Sequence, residues 1–303
     1  MSAQQQYQGH VPPQSTGFQG GGPTYISPVP MARTHLGHAL VSEWTKIRSV
    51  RSTVWTIGVM FALVVGIGLL TAVGLSGGEY TGDPLLSSGL FGLMLGQICV
   101  ITLGVLVVTS EYGTGMIRTT LTASPRRGRV LTAKALVFFV VAFVTTTVAC
   151  TLTALINSAL LSDQNIPSYV ANSPGADSIE GGKIVADSGE WLGATVGAGL
   201  YVALLGLLSL AVGSLLRHSA GAITTMMGVV LLPLLMAMFM GSEALQSVRD
   251  KLIEFSPLNG LASLYGIPME ENGSSGWPLL GGLACVTAVV LALALTLLNK
   301  RDV

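Results

Sequence analysis

The chain has 303 residues; half are apolar and a tenth are charged, whereas a soluble domain carries about a quarter charged residues. Fifteen basic and fifteen acidic residues cancel, which argues against nucleic acid as the main partner. The three cysteines, Cys99, Cys150 and Cys285, all lie in apolar runs; they offer no disulfide framework and no metal spacing, and read as small packing residues.

Residues 1–32 are rich in Gln, Gly, Pro and Ser, without charge and with little aliphatic content. Such a segment cannot bury enough apolar surface to offset its ordering entropy, so it is expected to be a disordered cytoplasmic leader. No Lys or Arg precedes a short apolar stretch there, so no cleavable signal peptide is expected.

Residues 33–52 form the next unit. Within HLGHALVSEWTKIRSVR (35–51), Leu36, Leu40, Trp44 and Ile47 fall at helical spacing, flanked by Glu43, Lys46, Arg48 and Arg51. A short basic amphipathic helix with a Trp suits a membrane surface, with Trp44, Lys46 and Arg48 as interfacial residues.

Residues 53–303 hold six apolar segments, at about 53–75, 85–109, 134–161, 191–216, 219–242 and 277–298. About 20 residues suffice for a helix to cross the hydrocarbon core. Apart from Lys134, which opens the third, no Asp, Glu, Lys or Arg lies in them. They do not alternate polar with apolar, as barrel strands would, so they are expected to be helices. The fold class predicted is an all-α integral membrane protein with six transmembrane helices.

Charge placement orients the spans. Twelve of the fifteen basic residues fall in the N-terminal region, the 110–134 connection, the Arg217-His218 turn and the C-terminal tail. Only Lys183, Arg249 and Lys251 fall in the other loops, where twelve of the fifteen acids lie. Both termini are therefore expected in the cytoplasm. The short turn at Arg217 makes spans four and five antiparallel neighbours. On the outer side, 162–190 reads as an irregular loop. EALQSVRDKLIEF in 243–276 reads as a helix, and the apolar SPLNGLASLYGIP after it as an interfacial or re-entrant piece. GxxxG pairs at Gly92/Gly96 and Gly193/Gly197 point to close packing within the chain or to a dimer seam.

No chemistry of an enzyme is legible. GGKI (181–184) lacks the upstream Gly and the Ser/Thr of a phosphate-binding loop. His35 and His38 are explained by the interfacial helix without a metal. Carriers driven by protons or sodium usually need ionisable groups within the bundle, and the charge-poor spans count against them.

The segment TSEYGTGMIRTTLTASPRRGRVLTAKAL (109–136) holds the remaining signal. Gly113 and Gly115 permit a sharp reversal after Glu111. Met116, Ile117, Thr120 and Leu121 form the apolar side of a helix of about two turns, which Ser124-Pro125 ends. Arg126, Arg127 and Arg129 then lead to the third span. Two readings stand side by side: a docking element for a cytoplasmic partner, or a basic loop touching lipid headgroups.

This segment and SEWTKIRSVRSTVWT (42–56) resemble the ABC-2 family of ABC transporter permeases, in its branch of stand-alone six-span subunits. The resemblance runs from about residue 35 to the end. It implies an ABC-2 type transmembrane domain with a coupling helix between spans two and three, formed by Glu111, Tyr112, Gly113, Thr114, Gly115, Met116, Ile117 and Arg118. It also implies a cytoplasmic ABC ATPase as partner, pairing as a homodimer or heterodimer of permeases in the plasma membrane, and export of a hydrophobic or amphipathic compound. ATP and Mg would be used by the partner; this chain is expected to bind no cofactor and to catalyse nothing. A secondary carrier or channel, and a non-transporting scaffold, are the alternatives.

Overall fold

A computed structural model of the chain describes residues 35–80, 82–116, 127–167, 179–269 and 275–300. Among these, six helices are long and apolar enough to cross a membrane, which fits a multi-pass membrane protein. An even number of crossings places helix α1 (Leu36–Ser49) and the C-terminal end of the last helix on one side, termed here the terminal face.

The first span, α2 (Arg51–Ser76), follows α1 after one extended residue, Val50, at φ −79° and ψ 111°. A junction of one residue fixes the angle at which α1 leaves the bundle. The second span, α3 (Gly89–Gly113), ends at a left-handed Gly115 with φ 73°. Tyr112 and Ser110 accept hydrogen bonds from the amides of Gly115 and Thr114 there, a glycine stop of the common kind.

The third span, α4 (Arg127–Leu161), has 35 residues, or about 52 Å at the helical rise. That exceeds the hydrocarbon thickness of about 30 Å, so its first turns, through Lys134, extend past the apolar run. The helix begins seven residues before the apolar run at 134, because polarity marks where lipid ends, not where backbone hydrogen bonding ends.

Within the connection after α4, expected to be an irregular loop, a short hairpin forms, and 168–178 lie outside the described residues. Strands β1 (Ile179–Glu180) and β2 (Lys183–Ile184) pair antiparallel. Gly181 and Gly182, at φ 59° and 80°, make the two-residue turn; only residues tolerant of positive φ suit it. The fragment weighed as a phosphate loop is therefore a hairpin turn. Buried Ile184 anchors it, donating its amide to the Ser162 carbonyl at 2.9 Å. Asp187 caps the fourth span, α5 (Ser188–Leu216), accepting from the Glu190 amide.

Helix α5 is the core of the bundle: 72% of its apolar spanning stretch is buried, against 11% for that of the last span, α9 (Gly276–Lys300). A helix that is apolar all round suits both positions, one packed in protein and one facing lipid. Small residues set the spacing. A Cβ on Gly104 of α3 would strike the Gly206 carbonyl of α5, and one on Gly92 would meet the Val64 carbonyl of α2 at 2.5 Å. Gly193 packs in the same way on the Leu264 carbonyl. Both GxxxG pairs thus serve contacts within the chain. Ser209 Oγ crosses the α3–α5 seam, donating to the Ile101 carbonyl at 2.8 Å. Around Gly193–Gly197, α5 widens to a π-helical turn.

Arg217, in the left-handed region at φ 54°, turns the chain into the fifth span, α6 (Ser219–Phe239), which carries Pro233 inside it. After a 3-10 turn at Glu243–Leu245, two short α-helices follow. In α7 (Gln246–Glu254) no residue is buried, and Val248 remains exposed. By contrast, α8 (Pro257–Leu264) buries Leu258, Leu261 and Leu264. Ser256 caps it by accepting from the Asn259 amide, and the buried Asn259 side chain donates to the Glu254 carbonyl and accepts from the Met269 amide. The stretch too apolar for a solvated loop is thus a capped, packed helix.

The glycine seams generate a direct test. Gly104→Leu should destabilise the fold by about 1–3 kcal/mol or more through overpacking. Gly66→Ala, where an added Cβ meets nothing within 4 Å, should leave the melting temperature of the detergent-solubilised protein unchanged or slightly raised.

Candidate functional site

Four charged side chains meet on the terminal face: Glu43 and Lys46 from α1, Glu111 from the last turn of α3, and Lys134 from α4. Lys134 Nζ donates to Glu43 Oε2 and to Glu111 Oε1, both at 2.8 Å. Lys46 Nζ donates to Glu43 Oε1 at 2.9 Å and to Glu111 Oε1 at 3.0 Å. The result is a closed ring of alternating charge with no net charge. The side chains of Glu43, Glu111 and Lys134 are each only 5% exposed, and that of Lys46 is 35% exposed.

The ring is a tie between three elements. An ion moved from water to a protein interior loses several kcal/mol of hydration, and mutual attraction recovers this only when the geometry is good and further hydrogen bonds are made. Each ammonium here meets two carboxylates. Among the described residues, Glu111 Oε2 is buried without a hydrogen-bond partner. The Lys46 ammonium feels two opposing effects. Burial would lower its pKa, but hydrogen bonds to Glu43 and Glu111 outweigh that and raise it above the ordinary lysine value.

The next residue extends the tie. The guanidinium of Arg217, in the α5–α6 turn, lies over the Tyr112 ring at 5.2 Å, within cation–π range. Glu111 and Tyr112, adjacent at the end of α3, therefore hold α1, α4 and the α5–α6 turn. Gly113 closes α3, Thr114 caps it, donating its hydroxyl to the Ser110 carbonyl at 2.8 Å, and Gly115 turns the chain.

Of the expected coupling residues, Glu111 to Gly115 gather at this face, and Met116 follows, half-exposed. Ile117, Arg118 and Arg126 lie outside the described residues, as does most of the two-turn helix expected after Gly115. Arg127 opens α4, and Arg129 sits half-buried on its first turn. On α1, Trp44 and Arg48 are exposed, whereas Lys46, expected beside them at the interface, is drawn into the ring.

Glu43 overturns one expectation. It does not flank the apolar stripe; it is buried and faces Lys134. The spacing contained the signal, because Leu36, Leu40, Glu43 and Ile47 follow the i, i+4, i+7 rule for one face. Lys134 was legible only as the first residue of an apolar run. His35 and His38 cap α1, with the His35 amide donating to His38 Nδ1 at 3.5 Å. Among the described residues, no group of three or more His, Cys, Asp or Glu could hold a metal ion.

Comparison with protein-family models and with curated proteins finds no match to this chain.

Lys134→Met should destabilise the protein by about 3–5 kcal/mol, because it leaves two buried carboxylates facing one ammonium. Lys46→Met should cost about 1 kcal/mol or less, since its end is partly hydrated and screened. Thermal melts of purified protein would rank the two, and equal costs would count against a ring centred on Lys134. With its folded pKa raised, Lys46 contributes in full below the unfolded lysine value of about pH 10.4. That contribution is lost only as pH rises through the folded value. Between pH 6 and 9 the difference between wild type and Lys46→Met should therefore stay flat.

Proposed function

We propose that this chain is the membrane-spanning permease subunit of an ATP-driven transporter of the ABC-2 type, powered by a separate ATPase. One observation carries the reading. The two stretches that resemble that family, 42–56 and 109–136, are the two that the ion ring joins, Glu43 and Lys46 lying in one and Glu111 and Lys134 in the other.

In this reading both termini and the terminal face lie in the cytoplasm, at the plasma membrane. The basic loops support that orientation. The segment after Gly115 docks in a groove of the ATPase, and a push there meets Glu111 and Tyr112 first. Because those residues hold α1, α4 and the α5–α6 turn, the push moves several helices together rather than bending one loop. Two permeases would move against each other in this way to expose an export path for a hydrophobic or amphipathic compound. The ring also bears on ion-coupled transport: its two carboxylates are balanced by two lysines, so it carries no net charge to draw in a moving cation.

Topology and coupling are separately testable. A cysteine at Ser173 should react only with reagent added outside, and one at Ser124 only from inside; both reacting from one side would overturn the orientation. The purified chain should hydrolyse no ATP without its partner. Met116 and Ile117, if buried in a partner groove, each gain roughly 1.5–3 kcal/mol relative to exposure. Ile117→Asp should thus cut ATPase pull-down and transport severely, by placing an unpaired charge in an apolar groove. Arg126→Ala should lose about 1 kcal/mol or less. The opposite ranking would mean that the loop works through its charge.

A further inference from the structure

Beside the ion ring lies an apolar groove that transport coupling leaves unused. Leu40, Val41 and Trp44 of α1 form one wall, and Leu136, Val137 and Val140 of α4 the other; the open groove has a volume of about 290 Å³, and its lining among the described residues is apolar. Val41, Trp44, Leu136 and Val140 are exposed there. Val140 lies six residues past Lys134, so the groove reaches about 9 Å along the spanning helix from the ring.

The two exposed charged residues that next follow the α1 wall of the groove in the chain are both basic. Arg48 follows Trp44 by four residues and so shares its face of α1. Arg51 opens α2. Both are exposed and have no ion-pair partner among the described residues. Glu43, the only acid in α1, is turned inward and held by two lysines. An occupant must therefore pair a flexible apolar chain with an anionic head. The leader of this chain, rich in Gln, Gly and Pro, supplies neither.

We propose that the groove between α1 and α4 binds an acyl chain of an anionic phospholipid whose headgroup is held by Arg48 and Arg51. The site would bind α1 to the lipid as well as to the bundle, and make its seating depend on lipid charge. It does not rest on the transport reading.

The full chain in phosphatidylcholine nanodiscs, given lipid brominated in its acyl chains, tests this through Trp44. Bromine quenches indole at contact, and the Trp44 signal is the difference between wild type and Trp44→Phe. Brominated phosphatidylglycerol should half-quench that signal at a mole fraction roughly 25-fold lower than brominated phosphatidylcholine, since each of the two arginines near an anionic surface contributes about fivefold. Arg48→Gln with Arg51→Gln should bring the two lipids level. Val140→Phe, which fills the groove and keeps both arginines, should also abolish the preference; Leu136→Phe repeats that test if the first variant does not fold. Equal quenching by both lipids in the wild type would overturn the site. A preference that survives filling would too, because the arginines would then only gather anionic lipid at the surface. Disulfide cross-linking between copies through Leu40→Cys, with no quenching of Trp44, would give the groove to a second copy instead.

Discussion

The ammonium of Lys134, held between Glu43 and Glu111, is the interaction on which the terminal face depends. Hydrophobic burial drives little between helices that already face lipid, because lipid tails are as apolar as leucine. The spans can therefore pack through small residues and still leave α1, which crosses nothing, without a fixed seat. An ion ring supplies direction where apolar contact cannot. It fixes which face of α1 turns inward, and through Glu111 it makes the end of α3 share that register. Tyr112 then passes the constraint to Arg217 and the α5–α6 turn.

The bundle beneath is arranged by closeness rather than by charge. Gly104 and Gly206 bring α3 and α5 into backbone contact, and Ser209 donates across the seam thus opened. Gly193 does the same for α5 and α8. Such contacts resist shear, because sliding one helix would drive a carbonyl into a side chain. Rigid helices held at one end by a polar ring are suited to move as a group, which is what the proposed coupling asks of them.

Much of this was legible in the sequence. Six apolar runs became six long helices, because the length of a run is itself the physical requirement for crossing. The buried helix α8 was visible as a stretch too apolar for water. Other features were hidden for identifiable reasons. The ends of α4 and α5 lay beyond the apolar runs that revealed them. The Gly181-Gly182 hairpin is only two residues deep, too short for alternation to show. The partners of Glu43 were beyond reach, because helical spacing can place a carboxylate on an inward face but cannot name a lysine 91 positions away. The ABC-2 resemblance rests on local stretches, and the ion ring is what gives those stretches a common physical purpose.

That separation has a consequence for how the protein is made. When α1 leaves the ribosome, Glu43 has only Lys46 to answer it. Glu111 arrives later and adds a second carboxylate. Lys134 completes the set last. At roughly 5–20 residues per second, the 91 residues between Glu43 and Lys134 represent about 5–18 s of synthesis. During that interval α1 has no reason to turn its acidic side toward the nascent bundle, and water is the better solvent for it. The first described helix is thus seated only after the two spans that follow it have been made, and its orientation records the arrival of the third.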